Sequence, residues 1–277
     1  MALQKKQKQT IQGIASRTEQ HQSNARHALG LLLSLALFVT CGSPSEAHPP
    51  QEPSAPCLHA TYSISWNGLP VGKAKLKCRR FGQEVLVQLQ GRSVAALNAV
   101  YPLKLKVDSR LRADGTQPLQ YQEKTQEGRK KNKTKQIVFA PEQNAVKVFK
   151  NGRLRRTLEV PQGTVDPLGA VYRFLSASFD AMQTRGITVT DGKRVFELHM
   201  TPLGEESVQT PWGARTAELW QASARVLAGK PHALEQVTLH AWTLSSRPAT
   251  LVKATVRFRF GAFSAQIEKS EAFEDVG

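Results

Sequence analysis

The sequence predicts a mainly β protein, an antiparallel open barrel or β-spiral with one short helix. Hydrophobic and polar residues alternate with period two, which is typical of strands that have one buried and one solvated face. Turn dipeptides separate these segments at short intervals, as in antiparallel sandwiches and barrels rather than βαβ units. The turns are Asn67-Gly68, Asp114-Gly115, Asn151-Gly152, Asp191-Gly192 and Trp212-Gly213.

Residues 1–47 are interpreted as a secretory signal peptide. A polar lead precedes the apolar run 29–41, which is shorter than the roughly 20 residues of a membrane span. Small residues at Ser45 and Ala47 favour cleavage after Ala47. The alternative is lipidation of Cys41, which would make the protein an outer-membrane lipoprotein. We therefore expect an exported protein, in the periplasm or anchored through Cys41.

The rest of the chain is predicted to form one domain. Residues 48–56 are rich in proline and are interpreted as a tether. Residues 58–271 follow as a single β domain of a size that can bury a substantial core. Residues 1–47 hold five of the 38 Lys and Arg and two of the 22 Asp and Glu, so the remaining chain has a net charge of +13.

Most of this domain is predicted to be strand. In the clearest case Leu103, Leu105, Val107 and Leu111 fall on one face and charged residues on the other. A second clear case is the alternation in residues 256–260. The other predicted strands are 58–66, 70–79, 84–91, 117–125, 133–140, 144–150, 153–160, 187–190, 194–201, 206–210, 214–223, 234–244 and 262–270. The basic run 128–135 is expected at the tip of a long hairpin.

One segment, about 166–178, is predicted to be helical. Asp166 is a favourable N-cap, and Pro167 suits the first helical position. Val171, Phe174 and Leu175 then recur at helical spacing. We expect this helix to plug one end of the sheet or to cover an open edge.

Cys57 and Cys78 flank the first predicted hairpin, and export favours a disulfide between them. Free thiols and a metal site using His59 are the alternatives. The two-residue turn at Asn67-Gly68 would place Tyr62 opposite Lys73, whereas the hydrophobic pattern places Tyr62 opposite Ala74 and Leu58 opposite Cys78. A β-bulge at Gly72 would satisfy both the turn and the pattern.

The sequence contains no recognised catalytic motif, and no metal or cofactor is indicated. Two features remain that bear on function. A basic outer face is expected if its strands share one wall, and it would attract anionic lipid, lipopolysaccharide or an envelope protein. Its residues are Lys73, Lys75, Lys77, Lys104, Lys106, Arg110 and Arg112. Nucleic acid is not an expected partner.

The second feature is an internal cavity, which a barrel of this many strands can enclose. Large side chains that could line it are Tyr62, Trp66, Tyr101, Phe174, Trp220, Trp242, Phe258 and Phe260. These features favour a non-enzymatic envelope protein that binds a lipid or another amphipathic ligand, or that supports envelope integrity. The alternatives are a scaffold that docks through the basic face and a hydrolase acting on envelope glycan or lipid.

Several segments resemble the DUF3108 family of exported bacterial proteins. They are "YSISWNGLPVGKAKL", "VDPLGAVYRF", "VQTPWGARTAELW" and "HAWTLSSRPATLVKATVRFRFGAFSAQI", in that order along the chain. The resemblance covers roughly residues 58–270. It implies an exported antiparallel open barrel or spiral with one short helix, and it implies no catalytic residues.

Overall fold

The structure is a computed structural model that describes residues 58–100, 102–115, 117–128, 132–176, 186–229, 237–246, 249–259 and 261–270. The predicted signal peptide, the predicted tether and the residues Cys41, Cys57, Tyr101 and Phe260 lie outside these ranges. The described strands form one fully antiparallel sheet of 14 strands.

The strands follow the predicted segments closely, with two helices rather than one. Helix α1 spans Ala95–Val100 and helix α2 spans Pro167–Ser176. The strands are β1 Leu58–Trp66, β2 Leu69–Phe81, β3 Glu84–Ser93, β4 Leu103–Arg112, β5 Pro118–Glu127, β6 Lys133–Ala140, β7 Ala145–Lys150, β8 Arg153–Glu159, β9 Ile187–Thr190, β10 Val195–Thr210, β11 Gly213–Ala228, β12 Thr238–Leu244, β13 Thr250–Phe258 and β14 Gly261–Ser270.

The strand order is β8-β7-β6-β5-β4-β3-β2-β1-β14-β13-β12-β11-β10-β9. Each half is therefore a meander in which consecutive strands pair. The two halves meet where β1 pairs with β14, from Ala60 opposite Ser270 to Trp66 opposite Phe263. Strands β8 and β9 are the two edges, so the sheet is not closed by strand pairing.

The first hairpin has the bulged register that the sequence predicts. Asn67 and Gly68 both have positive φ, 49° and 83°, as a two-residue turn of this hand requires. Beyond the turn the register shifts by one residue, because Ile64 pairs with Gly72 while Ser65 pairs with Pro70. The shift places Leu58 opposite Cys78, and it keeps the hydrophobic side chains of both strands on one face.

Helix α2 begins where the sequence predicts it. The carboxylate of Asp166 accepts hydrogen bonds from the backbone N–H of Leu168, at 3.0 Å, and of Gly169, at 2.8 Å. Its C-terminal half contacts the loops at one end of the sheet. Arg173 Nε donates to the carbonyl of Gly115, and Ala249 N donates to the carbonyl of Leu175, both at 2.7 Å. The helix thus closes that end, which we call the helix end.

The segment before α2 also covers an edge of the sheet. Val165 forms a parallel bridge with Val189 of the edge strand β9. Its N–H donates to the carbonyl of Thr188, and its carbonyl accepts from Thr190 N. The other edge strand, β8, is mostly exposed and carries Arg153, Arg155 and Arg156. Positive charge on an exposed edge opposes pairing with another chain.

Two sequence predictions were wrong in detail. Helix α1 was not expected, since its six residues carry neither a polar cap nor enough turns to show helical periodicity. The predicted strands 194–201 and 206–210 are one strand, β10. Pro202 pairs with Trp220 and Gly204 with Leu219, so Leu203 is an extra residue in a bulge. Proline is tolerated at such a bulge, where its missing N–H breaks no ladder bond.

The far half of the β10–β11 hairpin folds over the outer face of β12–β14. Gln266 Nε2 donates to the carbonyl of Gln209 at 2.7 Å, and Trp242 Nε1 donates to the carboxylate of Glu206 at 2.8 Å. Val208 is buried beneath this second layer. The sheet therefore has a covered outer surface on one half, and on the other half the outer surface carries the basic side chains.

Candidate functional site

The inner face of the sheet encloses an apolar cavity of about 200 Å³. Its walls come from β1–β3 on one side and from β9–β14 on the other, with α2 across the helix end. Small side chains make room for it: alanines lie where the alternating pattern would allow larger residues. These are Ala74, Ala170, Ala222, Ala224, Ala241, Ala254 and Ala265.

Among the described residues that line the cavity, Tyr62, Ser223 and Ser264 carry hydroxyls. Ser223 and Ser264 each lie between two inward-facing residues of their strands, so alternation directs their side chains to the outer face. The hydroxyl of Tyr62 donates to the carbonyl of Leu251 at 3.0 Å, and burial raises the pKa of this phenol well above its usual range. Tyr62 is therefore neutral, and its own hydroxyl is already bonded. An apolar wall of this kind stays dry and takes apolar ligands.

Three of the aromatic residues proposed from the sequence line the cavity: Tyr62, Phe174 and Phe258. Trp66 is 40% exposed and stacks on Phe263, a lining residue, with ring centroids 6.2 Å apart. It thus lies at the edge of the cavity. The predicted residues Tyr101 and Phe260 are outside the described ranges.

The remaining two tryptophans are structural. Trp220 is buried behind Phe174, edge to face at 5.6 Å, and donates to the hydroxyl of Thr243 at 3.1 Å. Trp242 points to the opposite face of its strand from Ala241, which lines the cavity. There it lies under the β10–β11 hairpin, with Lys253 Nζ 4.2 Å from its ring centroid.

The aliphatic lining residues were not singled out from the sequence. They include Ile64, Leu76, Leu198, Met200, Leu239 and Leu251. Their inward direction follows from strand alternation, but alternation does not distinguish a side chain that fills a core from one that borders a cavity. The run of alanines among inward positions was the available signal.

In the sheet β3 lies between β2 and β4, so the basic residues predicted on β2 and β4 are two strands apart. Across these strands Lys73, Arg92 and Lys104 form one row, and Lys75, Gln90 and Lys106 form the next. Lys77 lies in a third row with Gln88 and Asp108.

Carboxylates neutralise part of this face. Lys73 pairs with Glu268 at 2.8 Å, Lys106 with Asp108 at 3.4 Å and Arg110 with Glu84 at 2.6 Å. Arg112 donates to the side-chain carbonyl of Gln117 at 3.0 Å. The excess of positive charge is therefore concentrated toward Lys75, Arg92 and Lys104, which face solvent.

A buried polar cluster lies on the inner face beyond the cavity, and the sequence did not reveal it. Tyr121 donates to Glu123, whose carboxylate contacts Lys135. Ser109 donates to the second oxygen of Asp166 at 2.7 Å. Burial raises the pKa of Tyr121, and the carboxylates of Glu123 and Asp166 raise it further. Each of these polar groups has a partner, so the cluster joins β4–β6 to the start of α2.

The family model that matches this chain is described as "Protein of unknown function (DUF3108)" and covers residues 61–268. The chain belongs to the DUF3108 family. The suspected resemblance is thereby confirmed, and the matched residues include every strand of the sheet. No curated protein matches the chain.

A solved structure has a fold similar to that of this DUF3108 chain. It is titled a β-barrel-like protein of domain of unknown function DUF1849 from Brucella abortus. The match has a TM-score of 0.55 at 10% identity and covers 77% of this chain and 96% of that chain. At this identity the likeness establishes the β-barrel-like fold and nothing about function.

Across the described residues, no helix is both long and apolar enough to cross a bilayer. In that same part of the chain, no group of three or more His, Cys, Asp or Glu side chains is arranged to hold a metal ion.

Proposed function

We propose that this protein is a non-catalytic, exported carrier that holds a single hydrophobic chain, such as the acyl chain of an amphipathic lipid, in the cavity of its open barrel. The observation that carries the proposal is the composition of the cavity wall, whose inward side chains are hydrocarbon apart from the hydroxyl of Tyr62 and the thioether of Met200. Burying apolar surface against such a wall is favourable by about 25 cal/mol per Å².

The size of the cavity limits the ligand. Sites for drug-sized molecules are roughly 300–1,000 Å³. The present cavity, at about 200 Å³, is smaller than these sites, so it would hold part of an acyl chain rather than a drug-sized molecule. Export, inferred from residues 1–47, would place such a carrier in the periplasm, where lipids must cross water between membranes.

The test is to fill the cavity. Ala222→Phe and Ala254→Phe each place a ring in the lumen, and Ala214→Phe adds the same ring at an exposed position of β11. We expect native mass spectrometry of gently purified protein to show a lipid adduct in the parent and in Ala214→Phe, and none in the cavity variants. A fluorescent C16 fatty acid should bind the parent once per chain and be displaced by unlabelled palmitate.

Overpacking costs about 1–3 kcal/mol, so unfolding midpoints must show that the cavity variants are folded. The displacement of the fluorescent fatty acid by palmitate is measured on the parent protein, so this test holds even if the cavity variants do not fold. If the fluorescent chain binds without saturation, or if Ala222→Phe and Ala254→Phe bind it as well as Ala214→Phe does, the cavity is not the binding site.

An alternative proposal is a scaffold that docks through the basic face. The row of Lys73, Arg92 and Lys104 beside Lys75 and Lys106 supports it, because such a field attracts anions. The two proposals are compatible, since the cavity lies on the inner side of the sheet and the basic face on its outer side.

A further inference from the structure

The end of the barrel opposite α2, which we call the hairpin end, exposes hydrophobic side chains. It is formed by the tips of the β1–β2 and β13–β14 hairpins and by α1. The two tips are tied together: Asn67 N donates to the carbonyl of Ala262, and Ala262 N donates to Asn67 Oδ1, each at 2.8 Å. Around them Leu69 is 65% exposed, Trp66 40% and Leu97 36%.

These residues share one end because the register brings them there. Leu69 pairs with Trp66 across the first turn. Helix α1, which carries Leu97, follows directly on β3, and Val94 N donates to the carbonyl of Val71 at 3.1 Å. Trp66, Leu69 and Leu97, which we call the apolar rim, are thus exposed to solvent close to one another, where the surface of a soluble protein usually carries polar residues.

The chain segments that form this apolar rim are basic and contain no acidic residue. Segments 66–73, 91–106 and 255–264 contain Lys73, Arg92, Lys104, Lys106, Arg257 and Arg259 and no Asp or Glu. Within the described part of the chain, Arg92, Lys104, Arg257 and Arg259 form no ion pair with a carboxylate. These four residues thus place positive charge beside the rim, whereas Lys73 and Lys106 are paired with Glu268 and Asp108.

The cavity reaches the same end. Trp66 stacks on Phe263, and Phe258 and Val237, which line the cavity, flank the β13–β14 tip and the start of β12. Both are partly exposed. Because α2 closes the helix end, a chain leaving the cavity along the barrel axis emerges beside the rim.

We propose that the hairpin end docks on an anionic phospholipid bilayer, so that the apolar rim enters the interface and the cavity meets the lipid chains directly. This inference rests on the proposed carrier function. Tryptophan and leucine on one surface, bordered by Lys and Arg, match the layered chemistry of a bilayer, with acyl chains below and anionic head groups above. Each cation near such a surface contributes to binding, and added salt weakens that contribution.

The test is co-sedimentation of the full chain with vesicles of phosphatidylcholine containing 30% phosphatidylglycerol. Leu69→Glu with Leu97→Glu should weaken binding at least about tenfold, because two exposed leucines no longer enter the interface. Neutralising Arg92, Lys104 and Arg257 to Gln should weaken it by a similar factor and flatten its dependence on salt. Pure phosphatidylcholine vesicles should bind at least about tenfold more weakly than the anionic ones.

Two matched variants control for general effects. Leu154→Glu with Leu203→Glu changes two leucines that are 54% and 50% exposed, in the edge strand β8 and in the β10 bulge, away from the rim. Arg79→Gln with Arg155→Gln and Arg215→Gln removes the same number of exposed positive charges elsewhere. Both should bind anionic vesicles like the parent. The docking inference is overturned if these controls lose as much binding as the rim variants. It is also overturned if the parent binds vesicles equally well with and without phosphatidylglycerol.

The carrier function is measured separately, by binding of the fluorescent C16 fatty acid in solution without vesicles. The rim variants should keep this binding, because Leu69, Leu97 and the three cations do not line the cavity. Lost docking with retained chain binding supports the inference. Chain binding without any vesicle binding by the parent overturns the inference while leaving the carrier function standing.

Discussion

Asp166 is a carboxylate with no solvent exposure that caps α2 and also accepts a hydrogen bond from Ser109. Burial raises the pKa of this carboxyl, and its hydrogen bonds from Gly169 N and Ser109 oppose the rise. The cap was visible in the sequence because Asp followed by Pro starts a helix. Its burial was not visible, since it depends on β4 passing beneath the helix start.

Asp166→Asn should keep the capping oxygen, whereas Asp166→Ala should lose it and cost about 0.5–2 kcal/mol. The raised pKa means that the folded state favours the protonated acid. The contribution of Asp166 to stability is thus fully present below the ordinary value of 3.8 and is lost as the pH rises through the folded pKa.

The free energy of unfolding of the parent, relative to Asp166→Asn, should therefore fall as the pH rises above 3.8. Urea unfolding of both proteins at several pH values between 3 and 7 measures this difference. If the free energy of unfolding of the parent rises with pH relative to that of Asp166→Asn, the site stabilises the ionised carboxylate, and the prediction is wrong.

Among the elements, the first hairpin shows how much local sequence determines. The turn dipeptide and the hydrophobic pattern demanded different registers, and the only way to satisfy both was an extra residue beside Gly72. Gly72 is needed there because a Cβ would lie 2.8 Å from the carbonyl oxygen of Arg92 on β3. That contact is with backbone, which cannot rotate away.

Gly72→Ala should lower the free energy of unfolding by about 1–3 kcal/mol, as overpacking against a fixed neighbour does. Lys75→Ala, three residues along the same strand on the exposed face, should change it by no more than about 0.5 kcal/mol. Denaturant unfolding of the two variants compares them. Equal stability of the two variants would show that the β2 and β3 backbones can move apart at Gly72 at little cost in free energy.

Other elements show where local patterns fail. The residues around Pro202 and Gly204 resemble a turn, but the long β10 continues through them because it has β11 to pair with on one side. Helix α1 has no capping residue and forms where β3 ends at the hairpin end. For β10 the deciding interaction is the pairing with β11, which a short sequence window does not contain.

For the whole molecule, the pairing of β1 with β14 joins the two halves of the sheet. A sequence of alternating segments predicts strands and a barrel-like class, but it does not specify which strands meet across such a long interval. The cavity has the same origin. Each inward residue was predictable from alternation, whereas the space between them depends on how the sheet curves around α2.

The disulfide predicted between Cys57 and Cys78 would link the chain at the start of the domain to β2. Cys78 is 1% exposed and lies opposite Leu58, the residue that follows Cys57 in the sequence. The loop it would close, residues 57–78, predicts a stabilisation of about 3 kcal/mol. Thiol titration of the denatured full chain should then detect one thiol, from Cys41, of the three cysteines in the sequence.

Reduction, or Cys57→Ser, should lower the unfolding midpoint, and Cys41→Ser should leave it unchanged. Three reactive thiols in protein folded under oxidising conditions would contradict the pairing. The alternatives of a free thiol pair or a metal site at His59 would then have to be considered again.

The junction of β1 and β14 also governs the order in which the protein can be completed during biosynthesis. Strands β1–β8 pair with their neighbours in sequence, so each can add to the growing sheet as it is synthesised. Strand β1 waits for a partner from the other end of the domain. Until β14 arrives, one side of β1 is an unpaired strand edge, the kind of surface through which nascent chains associate wrongly. One edge of β1, which lies in the middle of the final sheet, therefore stays exposed throughout synthesis. A factor that shields this edge would act before β14 has paired with it.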